Sequence, residues 1–351
     1  RQLLAWLPDS LPGKNNPYSA ALQGEAQRLS KLDDGYLCHE FLETVNHPVL
    51  VRDFLGELDR RGLRYLGEAE YRTMTAADVP AAARQQIAQL TADPLRREQY
   101  YDFCRWQTFR STLICHADVR LDTTINFERV AALSFASDVK PVDSGSLDLV
   151  GPSLHAFARG GCRVNTAHPW FKAALASLGR RWPAWSSFDA LVAEAARTLG
   201  LEPPPRSTWP TIRQLVELAE ALHQAYANGV VDAALDAPDI ICDPSEPFIG
   251  YLPARLRAEV IPLVPNATHC VATLQGFQRH VLRLLDGRGR HAIVTQLADD
   301  TRGSLILTDA QGRQVTSVDQ LREIIANTLD ETLVFLAQQG LLVRPSSEVQ
   351  P

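Results

Sequence analysis

Residues 211–227 lay Leu215, Leu218, Ala219, Leu222 and Tyr226 along one helical face. A stripe of that width is stable only when other elements cover it. Gly229 ends the helix, and residues 230–235 read as a strand. Upstream, Cys162-Arg163-Val164-Asn165-Thr166 has the character of a short strand, with helices expected over 168–178 and 188–199 and a stiff Pro203-Pro204-Pro205 connection. Strand, three helices, strand is the order of a winged helix. A second unit follows a Pro-, Asp- and Ser-rich linker at 236–265. In it, Phe277, Val281, Leu284 and Leu285 mark one helix, stopped by Asp286-Gly287, and Ile293, Val294 and Leu297 mark another. The runs 305–308 and 313–315 flank Asp309-Ala310-Gln311-Gly312 as a wing. A closing helix over 317–339 carries Leu321, Ile325, Leu329, Leu333 and Leu336, with a capping box at Ser317 and Gly340 beyond its end.

Residues 1–128 read as mostly helical. Val51, Phe54, Leu55 and Leu58 repeat at i, i+3, i+4, i+7, and Gly62 after Arg60-Arg61 is a helix stop. Thr75-Ala76-Ala77-Asp78 starts another helix, and Pro94 separates it from a further one over 99–115. Residues 129–160 hold a strand or two and a loop. The expected fold is therefore mainly α (α+β), with a helical domain at 1–128, a first winged-helix-like domain at 129–240, and a linker with a second such domain at 241–351. The chain lacks an initiator Met, Met74 being its single methionine. Arg1-Gln2-Leu3-Leu4-Ala5-Trp6-Leu7 reads as the last turns of a helix halted by Pro8, so the sequence looks like a piece of a longer one.

Composition narrows the classes of function. With 351 residues and a 45% hydrophobic fraction the chain is globular and multidomain. A net charge of −6 gives no basic footprint for nucleic acid. The recognition helix of the first winged unit carries Glu217, Glu220 and one basic residue, Arg213, and the segment after it is acidic, so phosphate contacts would be few. No apolar run is long enough to cross a bilayer, which predicts a cytoplasmic protein without a membrane partner. The six cysteines, Cys38, Cys104, Cys115, Cys162, Cys242 and Cys270, form no C-x-x-C pair and read as buried, reduced thiols. The Cys-His neighbours at 38–39, 115–116 and 269–270 match no zinc spacing, so no metal site is expected.

The chemistry-bearing motifs are mostly missing. Gly287-Arg288-Gly289 follows a helix rather than a strand and completes no G-x-G-x-x-G. There is no phosphate-binding G-x-x-x-x-G-K-[ST] and no G-x-S-x-G elbow. No cofactor-binding residue and no catalytic residue is assigned within the chain. Two polar clusters remain. In Tyr36-Leu37-Cys38-His39-Glu40-Phe41, with Asn46-His47-Pro48 after it, polar groups interrupt an apolar run. They make either a satisfied buried network or a pocket lining. In Gln99-Tyr100-Tyr101-Asp102-Phe103, with Phe109-Arg110, the guanidinium can hold a carboxylate in two bonds, internal or on a partner. The candidate substrate-binding residues are Tyr36, His39, Glu40, Asn46, Asp102, Phe109 and Arg110.

Several blocks in order resemble a known family. Asn15-Asn16-Pro17-Tyr18, Tyr36-Leu37-Cys38-His39-Glu40-Phe41-Leu42-Glu43, Asn46-His47-Pro48-Val49, Gly62-Leu63-Arg64-Tyr65-Leu66-Gly67-Glu68-Ala69, Glu98-Gln99-Tyr100-Tyr101-Asp102-Phe103 and Thr108-Phe109-Arg110-Ser111-Thr112-Leu113-Ile114-Cys115-His116 are similar to the predicted methyltransferase regulatory domain. Lys172-Ala173-Ala174-Leu175, Arg181-Trp182-Pro183, Phe188-Asp189-Ala190-Leu191 and Leu284-Leu285-Asp286-Gly287 resemble the winged-helix region of the same proteins, which include bacterial protein-lysine methyltransferases of rickettsiae. At Val51-Arg52-Asp53-Phe54 the sequence departs from the aromatic and histidine residues many members carry there, so the resemblance assigns no histidine at that point.

The resemblance implies a substrate-recognition and regulatory region of an S-adenosylmethionine-dependent methyltransferase. It implies an upstream class I domain that binds the cofactor and acts as catalytic partner, and a protein as the substrate. The alternative from the residues alone is a stand-alone winged-helix interaction or transcription-type module. A third reading, a metal-dependent enzyme using His39 and Glu40, stands behind both.

Overall fold

The computed structural model describes residues 2–11, 16–76, 78–142, 145, 147–302 and 318–345. The chain divides into two compact units, one formed by residues 1–66 and 79–120, the other by 67–78 and 121–351. It is mainly helical with small sheets, as the sequence patterning predicts.

The first unit begins with α1 (Gln2–Trp6), α2 (Pro17–Ser30), α3 (Asp34–Phe41), α4 (Val51–Arg60) and β1 (Leu63–Glu68). The chain then leaves for the second unit through α5 (Tyr71–Met74) and returns with α6 (Ala81–Leu90), α7 (Pro94–Arg105) and β2 (Thr112–His116), which pairs with β1. The predicted stripe on α4 is real: Val51, Leu55 and Leu58 are buried, with Phe54, Leu63 and Tyr65 packed against them. Gly62 sits at φ +68°, the left-handed turn that ends such a helix and that glycine enters without strain.

Two expectations for this unit need correction. The helix foreseen from Thr75 starts at Ala81 instead, behind Pro80, whose fixed φ suits a helix start. The helix foreseen over 99–115 starts earlier, at Pro94, capped by the Asp93 carboxylate, which accepts from Leu95 N at 2.9 Å. It also stops earlier, at Trp106, which adopts a left-handed conformation with φ 54°. Beyond it, Thr112–His116 is extended because β1 offers a partner edge.

The second unit holds two cores. Around the first lie α8 (Phe127–Ala131), β3 (Ser134–Ala136), β4 (Lys140–Pro141), β5 (His155–Arg159), β6 (Cys162–Thr166), α9 (Pro169–Arg181), β7 (Ser186–Ser187), α10 (Phe188–Thr198), α11 (Arg213–Ala227) and β8 (Asp232–Ala234). Leu215, Leu218, Ala219 and Leu222 of α11 are buried, α11 packing against α8 and α9, and Leu175, Leu178, Leu191 and Ala195 of α9 and α10 are equally inaccessible in the same core. Gly179 permits the closest approach: a Cβ there would run into the carbonyl oxygen of Val139. The strands differ from a simple winged-helix order. β6 pairs with β5 in the sheet β4-β5-β6, whereas β8 pairs with β3 in the sheet β7-β3-β8, all antiparallel.

The second core gathers β9 (Ile249–Gly250), α12 (Leu252–Ala258), β10 (Leu263–Pro265), β11 (Val271–Thr273), α13 (Gly276–Leu284), α14 (Arg290–Arg302), α15 (Val318–Gln338) and β12 (Leu342–Val343). The stretch 236–265, expected as linker, thus supplies two strands and a helix: Ala254 and Ala258 pack into this core, and β9 pairs with β12. The foreseen wing at 305–315 and the capping box at Ser317 lie outside the described residues. Leu321, Ile325, Leu329, Leu333 and Leu336 are buried, and Gly340 turns at φ +67°.

At the start of α9, His168 Nδ1 accepts from Phe171 N at 3.2 Å and caps the helix. Burial holds the imidazole below its ordinary pKa, with Glu217 at 3.3 Å pulling the other way. The folded state therefore prefers the neutral ring. As pH falls through about 6.5 the unfolded chain gains a proton that the folded chain resists, so stability falls with falling pH. Thermal midpoints measured from pH 7.5 to 5.5 should decline for the wild type. His168→Asn keeps a capping acceptor without a titrating ring and should flatten that dependence. An equally steep decline in the variant would remove His168 as the cause.

Candidate partner-binding groove

The inner face of α7 is polar where an apolar residue is the usual choice: Gln99 and Asp102, three apart and so on one side of the helix, are its buried residues. Burying such groups is costly unless each finds a partner. Asp102 has one. Arg110 donates from Nη2 to Asp102 Oδ1 at 2.7 Å and from Nε to Asp102 Oδ2 at 3.0 Å. The same Nη2 reaches Glu98 Oε2 at 2.9 Å. This bridge anchors the chain leaving α7, after the turn at Trp106, back onto the helix.

Gln99 differs. It is 8% exposed, and its Oε1 is buried without a hydrogen-bond partner. Two hollows meet at it. The larger, of about 830 Å³, runs between α4 and α7 and includes Arg52, Asp53, Asp59, Arg64, Asp93 and Arg96. The smaller, of about 320 Å³, includes Val49, Asp102 and Trp106. Leu50, Gln99 and Phe103 line both, so the hollows form one track. Its edges are strongly apolar for a surface: Trp106 is 87% exposed, and Val49, Leu50, Leu95 and Phe103 are also exposed. The charges balance, three arginines against three aspartates. Arg52 pairs with Asp53 at 3.1 Å and Arg96 lies 3.8 Å from Asp93. Arg64 donates to the Val119 carbonyl at 3.4 Å. Asp59 has no cation within ion-pair distance among the described residues.

Of the residues singled out in the sequence, Asp102 and Arg110 come together, with the exposed Phe109 next to Arg110 in the chain and its carbonyl accepting from Gln107 Nε2. The other group stays apart from the track. The His39 side chain is 82% exposed and its Nδ1 meets Glu43 Oε1 at 2.9 Å. Asn46 Nδ2 donates to the Glu40 carbonyl at 3.0 Å, and Tyr36 N donates to Asp33 Oδ1 at 2.9 Å. Tyr36, His39, Glu40 and Asn46 line neither hollow. These groups make local surface contacts rather than the buried network or pocket their apolar setting suggests. Sequence reasoning missed Gln99, Asp59 and Trp106 as groove residues, because the hollow exists only once α4 and α7 are packed together.

The thiols correct another expectation: none of the six cysteines is buried, and Cys38, Cys104 and Cys270 are exposed. Among the described residues, no group of three His, Cys, Asp or Glu is placed to hold a metal ion, and no helix is long and apolar enough to cross a membrane. A nucleoside cofactor of the class I type needs a glycine-rich turn from a parallel strand into a helix. The described sheets have at most three strands, each described register is antiparallel, and Gly287-Arg288-Gly289 follows helix α13.

Comparison with known proteins agrees with the resemblance seen in the sequence. Residues 33–116 match the predicted methyltransferase regulatory domain, and residues 251–341 match the PKMT C-terminal winged helix domain. An uncharacterized protein of Rickettsia prowazekii strain Madrid E is 24% identical over 349 residues, 98% of this chain and 62% of that protein. The structure of PKMT2 from Rickettsia typhi in complex with AdoHcy superposes with a TM-score of 0.75 at 22% identity, covering 97% of this chain and 67% of that one. A second PKMT2 structure from Rickettsia typhi gives 0.75 at 23% identity, covering 98% of this chain and 68% of that one. The chain thus shares the fold of these proteins, and two of its segments match the two domain models. It spans about 62% of the length of the curated relative.

Proposed function

We propose that this chain is the substrate-recognition and regulatory part of an S-adenosylmethionine-dependent protein methyltransferase, with the cofactor site supplied by residues outside these 351. The observation that carries the reading is the pair of domain matches, at 33–116 and 251–341, within a chain whose fold follows part of PKMT2 along 97% of its own residues. The antiparallel character of its small sheets supports a cofactor site elsewhere. So does the greater length of the relatives. When bound, the cofactor supplies an electrophilic methyl group; the role of this chain is to hold the polypeptide that accepts it.

Calorimetric titration of the 351-residue chain with S-adenosylmethionine should give no binding in the micromolar range. The full-length protein should bind the cofactor and methylate a protein acceptor. Micromolar binding to this chain alone would overturn the division of labour. Salt-sensitive duplex binding, with no methylation by the full-length protein, would favour the stand-alone winged-helix reading.

A further inference from the structure

The track between α4 and α7 is the part of the molecule whose chemistry is least complete. An acceptor buried without a partner costs about 1–3 kcal/mol, and Gln99 Oε1 is such an acceptor at the junction of two hollows. It is shut from solvent in this state, while Gln99 lines both hollows, so a ligand donor reaches it only if the terminal amide turns. The two hollows share lining along the α4–α7 seam, an arrangement that suits an extended segment. Its exposed Leu50, Leu95, Phe103 and Trp106 offer apolar and aromatic contact area of the kind that anchors protein partners. Equal numbers of arginine and aspartate side chains give no attraction for a polyanion. Among the described residues, the groove carboxylate without an ion partner is Asp59, whereas Arg64 already serves the Val119 carbonyl.

We propose that this track seats an extended segment of a partner protein, in which a main-chain N–H donates to Gln99 Oε1, an apolar side chain lies against Leu50 and Phe103, and a basic side chain reaches Asp59. A main-chain donor is the group every polypeptide carries, so Gln99 reads the presence of a peptide while Asp59 reads charge. The proposal rests on the reading of the chain as the substrate-handling part of a protein methyltransferase, and it names where that handling occurs.

The test uses fluorescently labelled leucine-rich peptides long enough to cross the track, with Lys, Gln or Glu at the centre, and measures anisotropy with the 351-residue chain. The expected order of affinity is Lys, then Gln, then Glu, with steps of about threefold for an exposed charge. Asp59→Lys should reverse the order. Gln99→Met is isosteric and removes a buried polar orphan, so it should fold with an equal or higher thermal midpoint, yet bind the Lys peptide about tenfold more weakly. The same peptide methylated on its backbone nitrogens should bind the wild type as weakly as the unmodified peptide binds Gln99→Met. Peptide binding that ignores Gln99→Met and Asp59→Lys overturns the proposal. So does failure of the wild type to bind any of the peptides, or displacement of the peptide by a duplex oligonucleotide. In the full-length protein, methylation of a protein acceptor with a KM unmoved by both variants removes the groove and leaves the proposed function standing. Peptide binding as described with no methylation removes the function and leaves the groove.

Discussion

Lys172→Met should be the most damaging single substitution in the second unit, lowering the free energy of unfolding by about 4 kcal/mol, since a buried charged donor is removed and its carbonyl acceptors are left unpaired. Lys172 lies on α9 and is 0% exposed, among Phe171, Ala173 and Leu175. Its ammonium is spent on three backbone carbonyls, Asp148 O at 2.7 Å, Gly151 O at 2.7 Å and Ser153 O at 3.2 Å. An ammonium has three donors and no acceptor capacity, so three carbonyls match it completely. The loop it holds is prepared for it: Asp148 Oδ1 accepts from Gly151 N at 2.7 Å and from Val150 N at 3.1 Å, and Asp148 Oδ2 accepts from Ser153 Oγ at 3.0 Å. Those bonds, Gly151 N first among the causes, hold the Asp148 carboxyl below the usual range, so it stays ionised near the ammonium. Methionine fills the same volume but leaves the three carbonyls facing an apolar side chain. Lys172→Arg should not restore stability, because a planar guanidinium cannot present three donors from one atom. Urea unfolding followed by tryptophan fluorescence reads this unit well, since Trp170, Trp182, Trp185 and Trp209 belong to it. A midpoint unchanged in Lys172→Met would mean that water satisfies the loop and the lysine anchors nothing.

The parts of this fold legible in the sequence are those whose stability is written locally. Helices α9, α10, α11 and α15 carry wide apolar stripes, and Gly229 and Gly340 mark their ends with positive φ. What escaped reading depends on residues far apart in the chain. Thr112–His116 is extended because it lies beside β1, about fifty residues earlier, and no glycine announces the turn before it; a tryptophan adopts the left-handed conformation instead. Helix α12 has only seven residues in a Pro-rich stretch, too short to hold without tertiary packing, which Ala254 and Ala258 supply. At the candidate site, Asp102 and Arg110 were visible as a charged pair near one another in sequence. Gln99 was visible only as one member of a polar cluster, because an unpartnered acceptor is a property of the packed interior. His39 and Glu40 drew notice for the opposite reason: a polar pair in an apolar run looks buried until the helix is seen to be a surface one.

Arg110→Met should cost the first unit about 3–5 kcal/mol, the range for removing one partner of a buried ion pair. The Arg110, Asp102 and Glu98 side chains are only 14%, 11% and 17% exposed, so solvent can do little to replace the cation. The loss is asymmetric in origin. The intact bridge is worth modest net stability, because three charged groups were desolvated to form it, but without the guanidinium two carboxylates face each other on one turn of α7. Hence the same Arg110→Met change combined with Asp102→Leu and Glu98→Gln should recover most of the stability, while Asp102→Asn alone, which keeps an acceptor for Arg110, should cost clearly less than Arg110→Met. Hydrogen exchange along α7 reports this directly, with protection falling in Arg110→Met and returning in the triple variant. Because α7 forms one wall of the track at Leu95, Gln99 and Phe103, peptide binding should be lost and regained in step with that protection. If the triple variant recovers protection but not binding, the bridge contributes to the partner's recognition itself, as the position of Asp102 in the smaller hollow would allow. If Arg110→Met leaves α7 fully protected, the bridge is ornamental and the groove is held by apolar packing of Val51, Leu55 and Leu58 alone.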